Sequence, residues 1–94
     1  MNRQEHLLVI FSEECNEIAQ EVSKALRFGV NEQRDLPTSN LERIQKEFNQ
    51  LMAMRDMLWD EGVCIRDDKQ VRFDKRVKVE KYLTYSKKCG TLDG

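Results

Sequence analysis

Glutamates crowd one short stretch near the N-terminus, and this stretch has the greatest capacity for chemistry. Glu13, Glu14, Glu17 and Glu21 lie in a segment whose apolar spacing predicts a helix. Residues three or four positions apart are neighbours on a helix surface, so Glu14 and Glu17 would lie side by side. Because neighbouring like charges repel, a bound cation would reduce the repulsion between Glu14 and Glu17. The stretch therefore predicts half of a metal site.

A second polar pair, Glu47 and Gln50, has the same spacing on a later predicted helix. If the two helices pack antiparallel, Glu14, Glu17, Glu47 and Gln50 would offer four oxygen donors to one ion, as facing helices often do in bundles. Oxygen donors suit Mg²⁺. Softer metals are disfavoured because His6 is the single histidine and the three cysteines, at 15, 64 and 89, form no cluster.

The first helix has clear end signals. Asn2 and Glu5 form a capping box, and Gly29 is placed to end the helix. Its apolar residues fall in one arc, with Glu14 at the border of that arc, where a carboxylate can point between helices. The residues of this predicted apolar arc are Leu7, Phe11, Cys15, Ile18, Val22, Ala25 and Leu26. We expect Cys15 to be a small buried residue of this arc and not a nucleophile.

Residues 30–37 predict a loop, after which Ser39 and Glu42 cap a second helix that ends at Gly62. The apolar arc of this helix consists of Leu41, Ile44, Phe48, Leu51, Leu58 and Trp59, with Glu47 at its border. Arg55 falls inside this arc, where it either snorkels outward or pairs with an acid. Asp74 is the predicted N-cap of a third helix that runs to Lys88, and the stretch 63–73 has no clear assignment.

Composition predicts one all-α domain covering residues 1–94. The chain is 39% hydrophobic and 35% charged, with only one proline and four glycines, which favours helices over a loop-rich β fold. So small a core favours self-association. The absence of a signal-peptide pattern, of a membrane-spanning stretch and of paired cysteines favours a cytoplasmic protein.

The glutamate pattern resembles a known family, the MazG-type all-α nucleoside triphosphate pyrophosphohydrolases. Their E-x-x-E motif followed by E-x-x-D is similar to Glu14–Glu17 and then Glu47–Gln50, and the sequences 13–20 and 24–29 look like small phage-type members. The resemblance covers roughly residues 5–60. It implies a bundle of two long antiparallel helices plus a C-terminal helix, completed as a homodimer or homotetramer.

The resemblance also implies a reaction and roles. A nucleoside triphosphate would be hydrolysed to the monophosphate and pyrophosphate, with Mg²⁺ ions neutralising the triphosphate and activating the water that attacks the α-phosphorus. Glu14, Glu17, Glu47 and Gln50 would be the metal ligands, and Glu13 would orient or deprotonate the water. The residues expected to contact phosphate oxygens are Lys24, Arg27, Lys78 and Lys81.

The sequence departs from the family motif at one position, where Gln50 replaces the aspartate. Glutamine keeps a carbonyl oxygen donor but brings no charge. Two hypotheses therefore stay open: an active hydrolase, and a catalytically silent helical module that binds nucleotides or proteins. A third, a DNA-associated protein using its basic C-terminal end, is less favoured because the net charge of the chain is −1. The expected partner is therefore a nucleotide and not a nucleic acid or a membrane.

Overall fold

The computed structural model describes residues 1–33 and 35–94, and these contain three helices and no strand. They are α1 (Arg3–Phe28), α2 (Asn40–Asp60) and α3 (Lys69–Lys88). The all-α class predicted from composition is therefore confirmed. The predicted loop at 30–37 contains Arg34, which lies outside the described residues. Its described residues, 30–33 and 35–37, are not helical.

The predicted caps of the first two helices are present. Asn2 Oδ1 accepts a hydrogen bond from the backbone N–H of Glu5 at 2.8 Å, and Ser39 Oγ accepts one from Glu42 at 3.1 Å. The Glu5 and Glu42 side chains accept hydrogen bonds from the backbone in return, which completes two capping boxes. Gly29 ends α1 with a φ of 105°, a conformation that residues with a side chain rarely adopt.

Helices α1 and α2 form an antiparallel hairpin whose contact line we call the seam. Its residues recur at alternating steps of three and four, the spacing of a two-helix coiled coil. All are buried or half-buried, and they are Leu7, Phe11, Glu14, Ile18, Glu21 and Ala25 on α1, with Asn40, Ile44, Glu47, Leu51, Met54 and Leu58 on α2. The apolar core is at one end, where Leu58 is fully buried against Leu7 and Met54.

The seam does not follow the apolar arcs predicted from the sequence. On α1 the predicted core residues Cys15, Val22 and Leu26 are exposed, and Leu26 is 82% exposed. On α2, half of the predicted arc is exposed as well, namely Leu41, Phe48 and Trp59. The reason is that one neighbouring helix covers only a narrow seam, whereas the arcs are wide enough for two neighbours.

Helix α3 begins earlier than predicted and stands apart. Its N-cap is Asp68, whose Oδ1 accepts hydrogen bonds from Gln70 and Val71 at 2.9 and 3.0 Å; Asp74, the predicted cap, lies inside the helix. In the described part of the chain α3 does not pack against α1 or α2, and none of its residues is buried. None of the helices, over the residues that were searched, has the length and apolar character needed to cross a membrane.

Candidate functional site

The seam contains one layer in which two carboxylates meet. Glu14 of α1 and Glu47 of α2 are both half-buried, and their carboxyl groups are within hydrogen-bonding range of each other when one is protonated. The Oε2 atom of Glu14 is shielded from solvent and has no hydrogen-bond partner. A buried acceptor without a partner normally costs about 1–3 kcal/mol, so this layer is destabilising for the protein alone.

Electrostatics at this layer favour a bound positive charge. Partial burial raises the pKa of Glu47, and the nearby carboxylates of Glu14 and then Glu17 raise it further; Lys46 opposes them. A raised pKa means that the site disfavours the ionised carboxylate. A cation held between Glu14 and Glu47 would reverse that preference and supply the missing partner of Glu14 Oε2.

The remaining predicted ligands lie on one side of the Glu14–Glu47 layer. Glu17 is exposed but close enough to influence Glu47, and Gln50 is exposed one turn along α2 from Glu47, without a hydrogen bond from its side chain in the described residues. Glu13 is exposed on α1. Over the residues described, no three His, Cys, Asp or Glu side chains are grouped tightly enough to hold a metal ion. The structure thus brings together a carboxylate pair and not a complete metal cage.

The next polar layer joins opposite charges, with Glu21 in the seam and Arg43 directly beside the seam. Glu21 and Arg43 keep only 12% and 15% of their side chains exposed, and Arg43 Nε lies 3.5 Å from Glu21 Oε2. Lys24 Nζ contacts Glu21 Oε1 at 3.3 Å. The opposite charges make this layer cohesive, in contrast to the repulsive layer formed by Glu14 and Glu47. Glu21 is therefore engaged in ion pairs, and Lys24 is held near the site by that contact.

Arg43 also ties the seam to the end of the hairpin. Its guanidinium donates to the Thr38 carbonyl oxygen and to the Asn40 side-chain oxygen. Asn40 is fully buried, and its amide donates to the Gly29 carbonyl oxygen at 2.7 Å. This network fixes the register of α1 against α2, and so fixes which residue of α2 faces Glu14.

The basic residues predicted to contact phosphate are widely separated in one chain. Arg27 is exposed, and its guanidinium stacks on the Phe28 ring at 5.2 Å from the ring centre. Lys78 and Lys81 are exposed on α3, which does not pack on the hairpin within the described residues. Of the four predicted phosphate contacts, therefore, only Lys24 is in a contact that orients it along the seam.

Two basic residues near the site, Arg43 and Lys46, were not among the predicted site residues. Lys46 lies close enough to Glu47 to lower its pKa, and Arg43 precedes Glu47 by four positions, the spacing of neighbours on one helix face. Arg55, predicted to snorkel or to pair with an acid, donates instead to the Ile65 carbonyl oxygen at 2.7 Å. That hydrogen bond ties the link between α2 and α3 to α2 and occupies the Arg55 guanidinium.

Comparison of the chain with protein-family models, curated proteins and solved structures found no match. The resemblance to the MazG-type hydrolases therefore stays a prediction based on the residues quoted above. What the arrangement can do chemically depends on Glu14, Glu47 and their neighbours.

Proposed function

We propose that the protein is a Mg²⁺-dependent nucleoside triphosphate pyrophosphohydrolase of the MazG type, acting in the cytoplasm as a homodimer or homotetramer. The observation that carries the proposal is the Glu14–Glu47 layer. Two carboxylates face each other across the seam, and one oxygen has no hydrogen-bond partner. A seam position is worth most to stability when it is apolar, so a repulsive carboxylate pair there favours a role in binding.

The donor set suits Mg²⁺ that arrives with a triphosphate. Mg²⁺ in proteins keeps several waters and is commonly held by one or two carboxylates together with substrate phosphates. Glu14 and Glu47 would be those carboxylates, with Glu17 and Gln50 on the same side as additional oxygen donors. The lack of a three-acid cluster in the described residues agrees with a site that phosphate oxygens complete.

The reaction would transfer the nucleoside monophosphate portion to water. Attack of a water oxygen on the α-phosphorus forms one P–O bond, the bond to the bridging oxygen breaks, and pyrophosphate leaves. Bound Mg²⁺ would supply charge neutralisation of the triphosphate. Glu13 would accept the proton of the water, and Lys24 and Arg27 would attract phosphate oxygens. Lys78 and Lys81 would contribute only if α3 approached a Glu14–Glu47 layer.

A direct assay tests this proposal. Purified protein is incubated with each common NTP and dNTP plus Mg²⁺, and the monophosphate and pyrophosphate are quantified by ion-exchange chromatography. We expect equal amounts of the two products, and a loss of at least about 100-fold in Glu14→Gln or Glu47→Gln, since each removes charge stabilisation from the reacting phosphate. Glu80→Gln, on α3, is the matched control and should keep full activity. Folded protein that releases neither product refutes the hydrolase.

A second candidate is a catalytically silent module that binds a metal–nucleotide complex or a protein. The observation that favours it is Gln50, which brings no charge to the position next to Glu47. Calorimetry with a non-hydrolysable nucleotide and Mg²⁺ separates the candidates. Binding that is weakened by Glu14→Gln, in protein without turnover, supports the silent module, whereas turnover supports the enzyme.

A further inference from the structure

Helix α3 is strongly basic. It contains eight basic residues and two acids, a net charge of +6, so the rest of the chain carries −7. The basic residues are Lys69, Arg72, Lys75, Arg76, Lys78, Lys81, Lys87 and Lys88. Every residue of α3 is exposed apart from the half-buried Ser86, and α3 packs on neither α1 nor α2 in the described part of the chain. The net charge of −1 for the whole chain, which counted against a nucleic acid, therefore averages two separate surfaces of opposite sign.

Five of the basic residues occupy every third position of α3, and we define them as the basic row: Lys69, Arg72, Lys75, Lys78 and Lys81. Like charges three positions apart on a helix repel each other. Lys69 also begins the helix, whose first turn contains no acid to match the positive end of its dipole. Among the described residues, Arg72 alone of the basic row has an ion pair, an exposed one with Asp67 at 3.1 Å. The basic row is therefore unfavourable for the free helix, and a bound polyanion would neutralise it.

The basic row winds around the helix. Each step of three residues turns back by about 60°, so the five residues spread over about 240° of the circumference. Apolar side chains are spread as well, since Phe73 and Tyr82 are nine positions apart and point to opposite sides. Helices that lie on an anionic membrane separate their cations and apolar residues onto two faces. Because α3 lacks that separation, its charges suit a partner with negative charge on more than one side.

Double-stranded DNA has this form. Its major groove is about 12 Å wide and admits an α-helix of about the same diameter, with phosphates along both edges. Helix α3 has 20 residues and is therefore about 30 Å long, close to one turn of DNA. The major groove of an RNA duplex is too narrow for side chains to read. Duplex DNA thus matches α3 in charge, width and length.

The link before α3 is anchored to the hairpin. Val63 packs against the apolar core, Arg55 donates to the Ile65 carbonyl oxygen at 2.7 Å, and Arg66 stacks on the Trp59 ring at 5.1 Å from the ring centre. These contacts tie the link to α2 just before α3 begins. The hairpin therefore holds the start of α3 while the rest of the helix extends into solvent, where a groove can enclose it.

We propose that α3 binds double-stranded DNA by lying in the major groove, with the basic row contacting phosphates of both strands. The contacts are to the DNA backbone, so binding does not depend on base sequence. The proposal does not rest on nucleotide hydrolysis. It gives Lys78 and Lys81 a role that does not need α3 to approach the Glu14–Glu47 layer.

The test is fluorescence anisotropy of a labelled DNA duplex of about 21 base pairs, two helical turns. Full-length protein is added in EDTA without nucleotide. If the basic row neutralises five phosphates, the logarithm of the association constant falls by about 4.5 per tenfold rise in salt, so affinity drops about 500-fold between 50 and 200 mM. An RNA duplex of the same sequence should bind at least about tenfold more weakly.

The test variant combines Lys75→Gln, Lys78→Gln and Lys81→Gln. Glutamine and lysine have similar helix propensity, so α3 should keep its helicity, which circular dichroism checks. Loss of three phosphate contacts should reduce the salt slope by about 2.7. The matched control replaces the same three lysines by arginine. It keeps their charges and should keep the wild-type slope.

Four outcomes would overturn the proposal. The first is the absence of DNA binding at low salt with protein at about 100 μM, where even weak non-specific binders are saturated. An unchanged salt slope in the glutamine variant would assign binding to another surface. Equal affinity for the DNA and RNA duplexes would exclude the major groove. Tighter binding to vesicles of anionic phospholipid than to DNA would identify a membrane as the partner. None of these measurements involves hydrolysis, so the hydrolase proposal is tested separately.

Discussion

Replacing Glu14 by leucine should stabilise the protein while removing its proposed function. The substitution puts an apolar side chain at a half-buried seam position, removes the unpartnered Oε2 atom and ends the repulsion with Glu47. Removing the unsatisfied acceptor alone should raise the free energy of unfolding by about 1–3 kcal/mol. For a chain of this size each kcal/mol raises the melting temperature by about 4–8 °C, so the increase should be at least about 4 °C.

The measurement is thermal and urea unfolding followed by circular dichroism at pH 7, in low salt with a chelator. All samples need one protein concentration, because an oligomer makes stability depend on it. Glu13→Leu is the matched control: it makes the same chemical change one position earlier, at an exposed site, and should shift stability by less than about 0.5 kcal/mol.

Metal dependence completes this test. If the wild type binds Mg²⁺ or its nucleotide complex between Glu14 and Glu47, saturating it about 100-fold over its dissociation constant should add about 2.7 kcal/mol of stability. Glu14→Leu should gain almost no stability from the same ligand. A Glu14→Leu protein no more stable than Glu13→Leu would refute the reasoning that the carboxylate layer is costly. Equal stabilisation of wild type and Glu14→Leu by the ligand would refute the site.

Three further predictions concern neighbouring residues. Because the pKa of Glu47 is raised, its side chain keeps a proton in the folded chain at pH values where the unfolded chain, with the ordinary value of 4.5, has released it. The contribution of Glu47 to stability therefore falls as the pH rises above 4.5. Glu47→Gln removes that loss, so urea unfolding should find it more stable than wild type at pH 7, with an advantage that shrinks towards pH 4. Gln50→Asp should tighten Mg²⁺–nucleotide binding by about tenfold in calorimetry, the effect of one added charge of about 1.4 kcal/mol, whereas unchanged affinity would place Gln50 outside the site. Arg43→Met should lower the free energy of unfolding by about 3 kcal/mol, because it leaves Glu21 shielded with Lys24 as its remaining partner; a cost no larger than that of Arg27→Met would contradict the role of the network.

Local signals in the sequence predicted most helix ends. Asn2 with Glu5, Ser39 with Glu42 and the left-handed glycines after each helix depend only on a few adjacent residues, so they are readable without the fold. The predicted start of α3 was wrong because Asp68 and Asp74 are both suitable N-cap residues. The residues between them have no apolar period to favour one, and α3 has no neighbour in the described chain that would impose such a period.

The packing faces were harder to predict, because they depend on how many neighbours a helix has. Helix α1 carries enough apolar residues for two neighbours, and their spacing alone predicted a single core for all of them. The structure divides them: Leu7 and Ala25 lie in the seam with α2, while Val22 and Leu26 remain exposed. Nothing local distinguishes these groups. The division depends on the register of the hairpin, which Asn40 and Arg43 fix through contacts that are distant in sequence.

The two polar layers of the seam differ in a way that bears on function. The Glu21–Arg43 layer joins opposite charges and helps to set the register, a role that polar groups in helix seams can fill. The Glu14–Glu47 layer joins like charges, which raise the pKa of Glu47. Each layer leaves a shielded carboxylate oxygen without a hydrogen bond, but only Glu21 Oε2 has an opposite charge, that of Arg43, beside it. Register cannot explain a layer that repels itself, and neither can stability, since apolar residues would serve both better. The proposed ligand with positive charge would explain it, because its binding would turn this repulsive layer into a cohesive one.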